Sequence, residues 1–161
     1  MTLVAHPVNA AAFAPFGAII DAPRALGERK MFNDWLRPVE GHALQFHINA
    51  IAPSPAPILL TQIERHPHAA QVFVPMDVSR YVVTVAPSRA DGTPDLSALL
   101  SMELPGTLGV IYNAGVWHAG VTVLDRTAHF AVLMYRGAPD DDVFRAIEPI
   151  TIRIARSEVH A

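Results

Sequence analysis

The stretch "IERHPHAAQVFVPM", residues 63–76, places Glu64, His66, His68 and Gln71 within eight positions, directly ahead of the apolar run Val72, Phe73 and Val74. Side chains of an extended chain alternate between faces, so Glu64 and His66 point the same way and Arg65 points the other. Pro67 to Ala70 form a connection of ordinary hairpin length, which sets His66 and Gln71 roughly opposite each other across the turn. Glu64, His66 and Gln71 then share one surface, and Phe73 continues it toward the core. The strand after the turn is strongly apolar, so the inward face is expected to be dry. A buried carboxylate there demands a cation or a proton. His68 lies in the turn, off this alternation, and is expected to be exposed.

A second constellation follows downstream, Asn113-x-Gly115-x2-His118, leading into the apolar segment Val116 to Leu124. Read as one strand, that segment puts His118, Gly120 and Thr122 on one face and Trp117, Ala119 and Val121 on the other. A small polar face opposite a large apolar one suits a cavity wall. An isolated buried histidine is ordinarily satisfied by a main-chain carbonyl. The pair of constellations shifts the balance toward a functional site.

The rest of the chain agrees with a mostly β architecture. Fourteen prolines divide it into short apolar segments. Strands are expected at Leu44 to Ile51, Gln71 to Pro75, Tyr81 to Ala86, Thr107 to Tyr112, Val116 to Leu124 and His129 to Arg136, with an edge strand at Ile147 to Ile154. Pro94 and Asp95 can open a short helix over Leu96 to Leu100, with Asp95 at its positive end. The 161 residues read as one domain: an N-terminal arm over 1–43 covering a barrel over 44–137, then a C-terminal segment over 138–161. Half the residues are apolar and 17% are charged, which suits a soluble folded protein. There is no cysteine, so disulfides, thiolate metal sites and a cysteine nucleophile are excluded. A formal charge of −3, with basic residues scattered singly, argues against nucleic acid. No apolar run suits a membrane span and the N-terminus does not resemble a signal peptide, which makes the cytoplasm the default compartment.

Glu64-x-His66-x4-Gln71 resembles the first cupin motif, H-x-H-x4-E, and Asn113-x-Gly115-x2-His118 resembles the second, P-x-G-x2-H. The runs "FAPFGAIID", "ERHPHAAQVFVPM", "PDLSAL" and "VWHAG" together resemble the ureidoglycolate lyase family, a branch of the cupins. That resemblance implies a cupin-type jelly-roll β-barrel. It also implies cleavage of ureidoglycolate to glyoxylate and urea in allantoin degradation, a divalent metal and a homodimer. Its site would comprise Glu64, His66 and His118 as catalytic groups, with Gln71 beside them as a fourth metal neighbour. Arg29 and Gln71 would contact the substrate, Arg29 through the carboxylate. The chain departs from the family at Ala50, where an arginine is usual, and around Met31 to Asn33.

Imidazole and carboxylate donors suit Ni, Mn, Fe or Zn. Without a metal, one histidine serves as base and Glu64, raised by burial, as acid. Two other classes compete: a cupin that binds a small carboxylate without turning it over, and a metal-dependent cupin oxygenase or isomerase acting on another substrate.

Overall fold

The computed structural model describes residues 1–155. Its strands are β1 Thr2–Pro7, β2 Gly17–Ile20, β3 Ala43–Ile51, β4 Ile58–Arg65, β5 Gln71–Pro75 and β6 Arg80–Ala86. They continue as β7 Leu100–Pro105, β8 Gly109–Tyr112, β9 Trp117–His118, β10 Thr122–Val123, β11 Ala128–Arg136 and β12 Val143–Ile154. Among the described residues, helix is confined to one turn at Ala10–Phe13, capped by Asn9, and a 3-10 turn at Leu96–Ala98. The Asp95 carboxylate caps the latter by accepting from the Ser97 N–H. No helix among the described residues is long and apolar enough to cross a membrane.

The strands form two sheets, β10-β6-β7-β1-β12-β4-β9 and β2-β8-β5-β11-β3. β9 pairs with β6 as well as with β4, so the larger sheet closes on itself. This is the mostly β, closed barrel expected from the sequence. β6 shows why the order is stable. Its run Tyr81-Val82-Val83-Thr84-Val85-Ala86 is buried throughout, as a strand covered on both faces must be. Tyr81, Val83 and Val85 join Phe73, Val110, Phe130 and Val132 in a core shared by the two sheets. Val82 and Ala86 join Ile58, Leu60, Ile63, Trp117, Ile150 and Ile152 in a second core within the closed sheet. Thr84, the polar member of the run, bonds the Ser101 hydroxyl at 2.9 Å.

Several expectations are corrected. His66 and Gln71 do not flank a hairpin, because β4 belongs to the larger sheet and β5 to the smaller. The length of a connection does not tell whether a chain turns back or crosses between layers. The first 43 residues are not all arm: β1 lies between β7 and β12 in parallel pairing, and β2 pairs with β8. Gly17 permits the latter, since a Cβ there would lie 1.8 Å from the Ile111 carbonyl oxygen. β12 is consequently an interior strand rather than an edge, and it begins at Val143. β4 and β7 were not among the expected strands. Residues 156–161 of the expected C-terminal segment lie outside the described residues.

The segment Val116 to Leu124 is not one regular strand. Thr122 pairs with Val82 and His118 with Val85, so Ala119, Gly120 and Val121 stand opposite only Val83 and Thr84. This is a β-bulge, and it reverses the facing of everything beyond it. Trp117 and Ala119 enter the second core while Val121 and Val123 enter the first. Thr122 therefore faces away from the side His118 occupies.

The shared core predicts one outcome directly. Phe130 is fully buried and meets Phe73 and Tyr81 edge-on, at centroid distances of 5.9 and 5.1 Å. Phe130→Ala should cost about 3–5 kcal/mol in urea denaturation, through lost burial and the cavity it leaves.

Candidate active site

Three elements carry the polar cluster. Glu64 is the penultimate residue of β4 and pairs in register with His118 on β9. His66 follows β4 by one residue. The turn before β9 is tied to it, for the Gly115 N–H donates to the His66 carbonyl at 2.7 Å. Gly115 has φ +78°, a conformation a residue with a side chain adopts only at a cost. Gln71 opens β5 in the other sheet, opposite Tyr112 of β8. Glu64, His66, Gln71 and His118 thus come together where the two sheets meet, although the hairpin invoked to unite them does not exist.

The distances are short. His66 Nε2 lies 3.1 Å from Gln71 Oε1, and the two imidazole rings are 5.1 Å apart. His118 Nε2 lies 3.6 Å from Glu64 Oε1. One ligand atom each from Glu64, His66 and His118 can be chosen so that all lie within 4.8 Å of one another. His118, His66 and Gln71 are 2%, 5% and 8% exposed. The Tyr112 ring stacks on His118 at 4.3 Å and 15°. Its hydroxyl is buried without a partner among the described residues, and burial pushes it well above the usual phenol value.

Protonation follows from these contacts. His118 Nδ1 donates to the Val116 carbonyl at 3.0 Å, which leaves the lone pair on Nε2. That atom is buried with no hydrogen-bond partner among the described residues. Burial lowers the imidazole to about 3, with the Val116 contact opposing and His66 adding to the fall. The approach of Glu64 is therefore not an ion pair at neutral pH. The Glu64 carboxyl is itself raised, by burial first, against the pull of His66. An orphaned lone pair, a second imidazole and a desolvated carboxyl are what a divalent cation would satisfy, so the residues present fit a metal.

Around this cluster are residues the motifs do not include. His66 Nδ1 donates to the Asp141 carbonyl at 3.0 Å, and the Asp142 carboxylate lies beside the same nitrogen, with Oδ1 at 2.9 Å. Asp142 also pairs with Arg136 at the end of β11. In the sequence, Asp140-Asp141-Asp142 follows Gly137-Ala138-Pro139 and looks like a solvated loop. His68 is exposed as expected and pairs with Asp140 at 2.9 Å. A cavity of about 220 Å³ lies against the two connections leading into the cluster, lined by His68, Ala70, Asn113, Trp35 and Arg37. Arg29 is exposed, and among the described residues it makes no hydrogen bond or ion pair.

A family profile described as Ureidoglycolate lyase matches residues 1–153. The chain is 34% identical over 141 residues to a ureidoglycolate lyase of Burkholderia mallei, covering 82% of this chain and 81% of that one. It is 30% identical over 151 residues to one from Escherichia coli, covering 89% and 93%. It is 36% identical over 88 residues to one from Schizosaccharomyces pombe, covering 52% and 46%. Among solved structures, a dTDP-4-dehydrorhamnose 3,5-epimerase from Elizabethkingia anophelis overlaps with a TM-score of 0.44 at 18% identity, over 61% of this chain and 53% of that one.

The depressed imidazole makes stability depend on pH. Between about 6.5 and 3 the unfolded chain binds a proton at His118 that the folded chain does not. The contribution is fully present above that window and is lost as pH falls through it. Glu64, raised above 4.5, acts in the opposite sense, its contribution being lost as pH rises. His118→Gln should flatten the acid limb of a plot of urea midpoint against pH, measured across that window.

Proposed function

We propose, from the premise that the chain belongs to the ureidoglycolate lyase family, that Glu64, His66 and His118 are the groups with which it cleaves its substrate. The enzyme is a carbon–nitrogen lyase that converts ureidoglycolate to glyoxylate and urea. The observation that carries the site assignment is the convergence of one carboxylate and two imidazoles within 4.8 Å of one another on a desolvated face.

The central carbon of ureidoglycolate bears a hydroxyl, a carboxylate and the ureido nitrogen. In the cleavage the hydroxyl proton leaves to a base and the C–O bond becomes a carbonyl. The C–N electron pair departs with nitrogen, which takes a proton from an acid. Without a metal, His118, neutral with its lone pair on Nε2, would accept the first proton. Glu64, holding its proton more tightly than an exposed carboxyl, is suited to deliver the second. Gln71 offers both amide ends, so it can pair with His66 or with the ureido group. Alternatively Glu64, His66 and His118 would hold a divalent metal, with Gln71 beside them, and would then act as ligands and not as the proton-transfer groups. When bound, it would supply Lewis acidity to the hydroxyl and carboxylate oxygens. The carboxylate of the substrate is assigned to the cations of the segment before β3: Arg29 from the family likeness and Arg37, which lines the cavity.

A second copy of the chain is the proposed partner. Leu44, Phe46 and Ile48 are 49%, 64% and 54% exposed on one face of β3, the outermost strand of the smaller sheet. An apolar face on an unpaired edge is a liability unless another surface covers it.

Urea release should fall roughly 100- to 10,000-fold in a folded His118→Ala variant. It should stay within about a factor of three in His68→Ala, which alters an exposed residue. Arg37→Ala and Arg29→Ala should raise KM more than they lower kcat. If His118→Ala keeps full activity, the site has been misassigned. Metal analysis of the purified enzyme, before and after a chelator, should show a divalent ion whose removal lowers turnover. Light scattering should give the mass of two chains for the native protein and of one for Phe46→Arg; a native mass of one chain overturns the dimer.

A further inference from the structure

We propose that Asp142, braced by Arg136, is a positioning residue that holds the His66 ring in a single orientation with its proton on Nδ1. The inference rests on the reading of His66 as a site residue and extends it to a part of the chain that neither motif contains. His66 Nδ1 faces only acceptors: the main-chain carbonyl of Asp141 at 3.0 Å and the Asp142 carboxylate at 2.9 Å. Neither can become a donor while Asp142 remains paired with Arg136. Nδ1 therefore carries hydrogen, and Nε2, left with its lone pair, is met by Gln71 through its amide turned so that the N–H2 donates.

The brace is itself rigid. Asp141 Oδ2 accepts from the N–H groups of Gly137 and Ala138 at 2.7 and 3.0 Å, which ties the loop back on itself. Those donors hold the Asp141 carboxyl below the usual range even though burial raises it. Arg136 reaches Asp142 from the last residue of β11, a strand locked between β3 and β5. The chain Arg136 to Asp142 to His66 thus links the smaller sheet to the end of β4 in the larger one. A carboxylate behind an imidazole fixes its tautomer and ring direction and makes its other nitrogen a better base or ligand. The remaining aspartate of the run, Asp140, turns outward to His68 and has no part in this.

The test uses full-length protein with ¹⁵N-labelled histidine. The His66 ring is assigned by difference with His66→Gln, and its nitrogens are read by long-range ¹H–¹⁵N correlation. Native protein should show one ring state with a protected Nδ1 proton. Asp142→Ala leaves Nδ1 with the Asp141 carbonyl alone, on a loop no longer held by Arg136, and should show that proton less protected and a second ring state appearing, with kcat lower by about 10- to 100-fold. Asp142→Asn keeps the shape of the side chain but has one acceptor oxygen for two donors, Arg136 and His66 Nδ1. It should fold and, with that oxygen on Arg136 and its amide N–H against Nδ1, move both readouts as Asp142→Ala does. Arg136→Gln should move both readouts in the direction of Asp142→Ala by a smaller amount. Asp140→Ala should change neither. An unchanged His66 ring in Asp142→Ala overturns the proposal whatever happens to activity, as does a native His66 ring state in Asp142→Asn. Full turnover by His66→Gln would instead remove His66 from the site, an outcome separate from the ring measurement.

Discussion

The two-residue strand Trp117–His118 is the joint on which the molecule depends. It pairs on one side with Glu64 of β4 and on the other with Val85 and Ala86 of β6, and that double pairing closes the larger sheet. The side chains of the same two residues divide its work. Trp117 fills the core within the closed sheet, and its indole N–H donates to the Gly92 carbonyl at 3.1 Å. His118 turns the other way, onto the Tyr112 ring and toward Glu64. Closing the barrel and building the site are one event, since hydrogen bonds that complete the ring also place a carboxylate opposite an imidazole.

This placement works against folding. A carboxyl, two imidazoles and an amide lie where aliphatic side chains would pack without unsatisfied groups. Part of the cost is met locally, His118 by the Val116 carbonyl and His66 by Asp141, Asp142 and Gln71. What is left over is His118 Nε2, buried with no hydrogen bond among the described residues. A polar atom left unpaired beside a half-buried carboxyl is the mark of a site arranged for something other than the folded chain. The family relationship supplies the activity, and burial accounts for the neutral imidazole and the raised carboxyl.

Much of the site was legible as spacing. Period-two alternation puts Glu64 and His66 on one face whichever sheet the strand joins, and the apolar run after Gln71 marks that face as dry. His68 was separable for the same reason, because it falls in the connection. Asp142 and Arg136 were not legible. They lie some 70 residues from His66 in the chain, in a run of aspartates that composition assigns to solvent. Only the packing of β11 beside β5 brings them behind the imidazole.

Alternation of polar and apolar residues, short segments between prolines and the paired motifs determined a mostly β barrel with Glu64, His66, Gln71 and His118 gathered in one cluster, because side-chain period is a local property of the backbone. Tertiary structure alone decided that the connection from His66 to Gln71 crosses between sheets, that the first strand enters the larger sheet in parallel beside β12, and that the segment after His118 bulges. Each of these depends on which distant strand supplies the hydrogen-bond partner. That choice is made by the total apolar area two layers can bury together, a quantity that no single stretch of the chain contains.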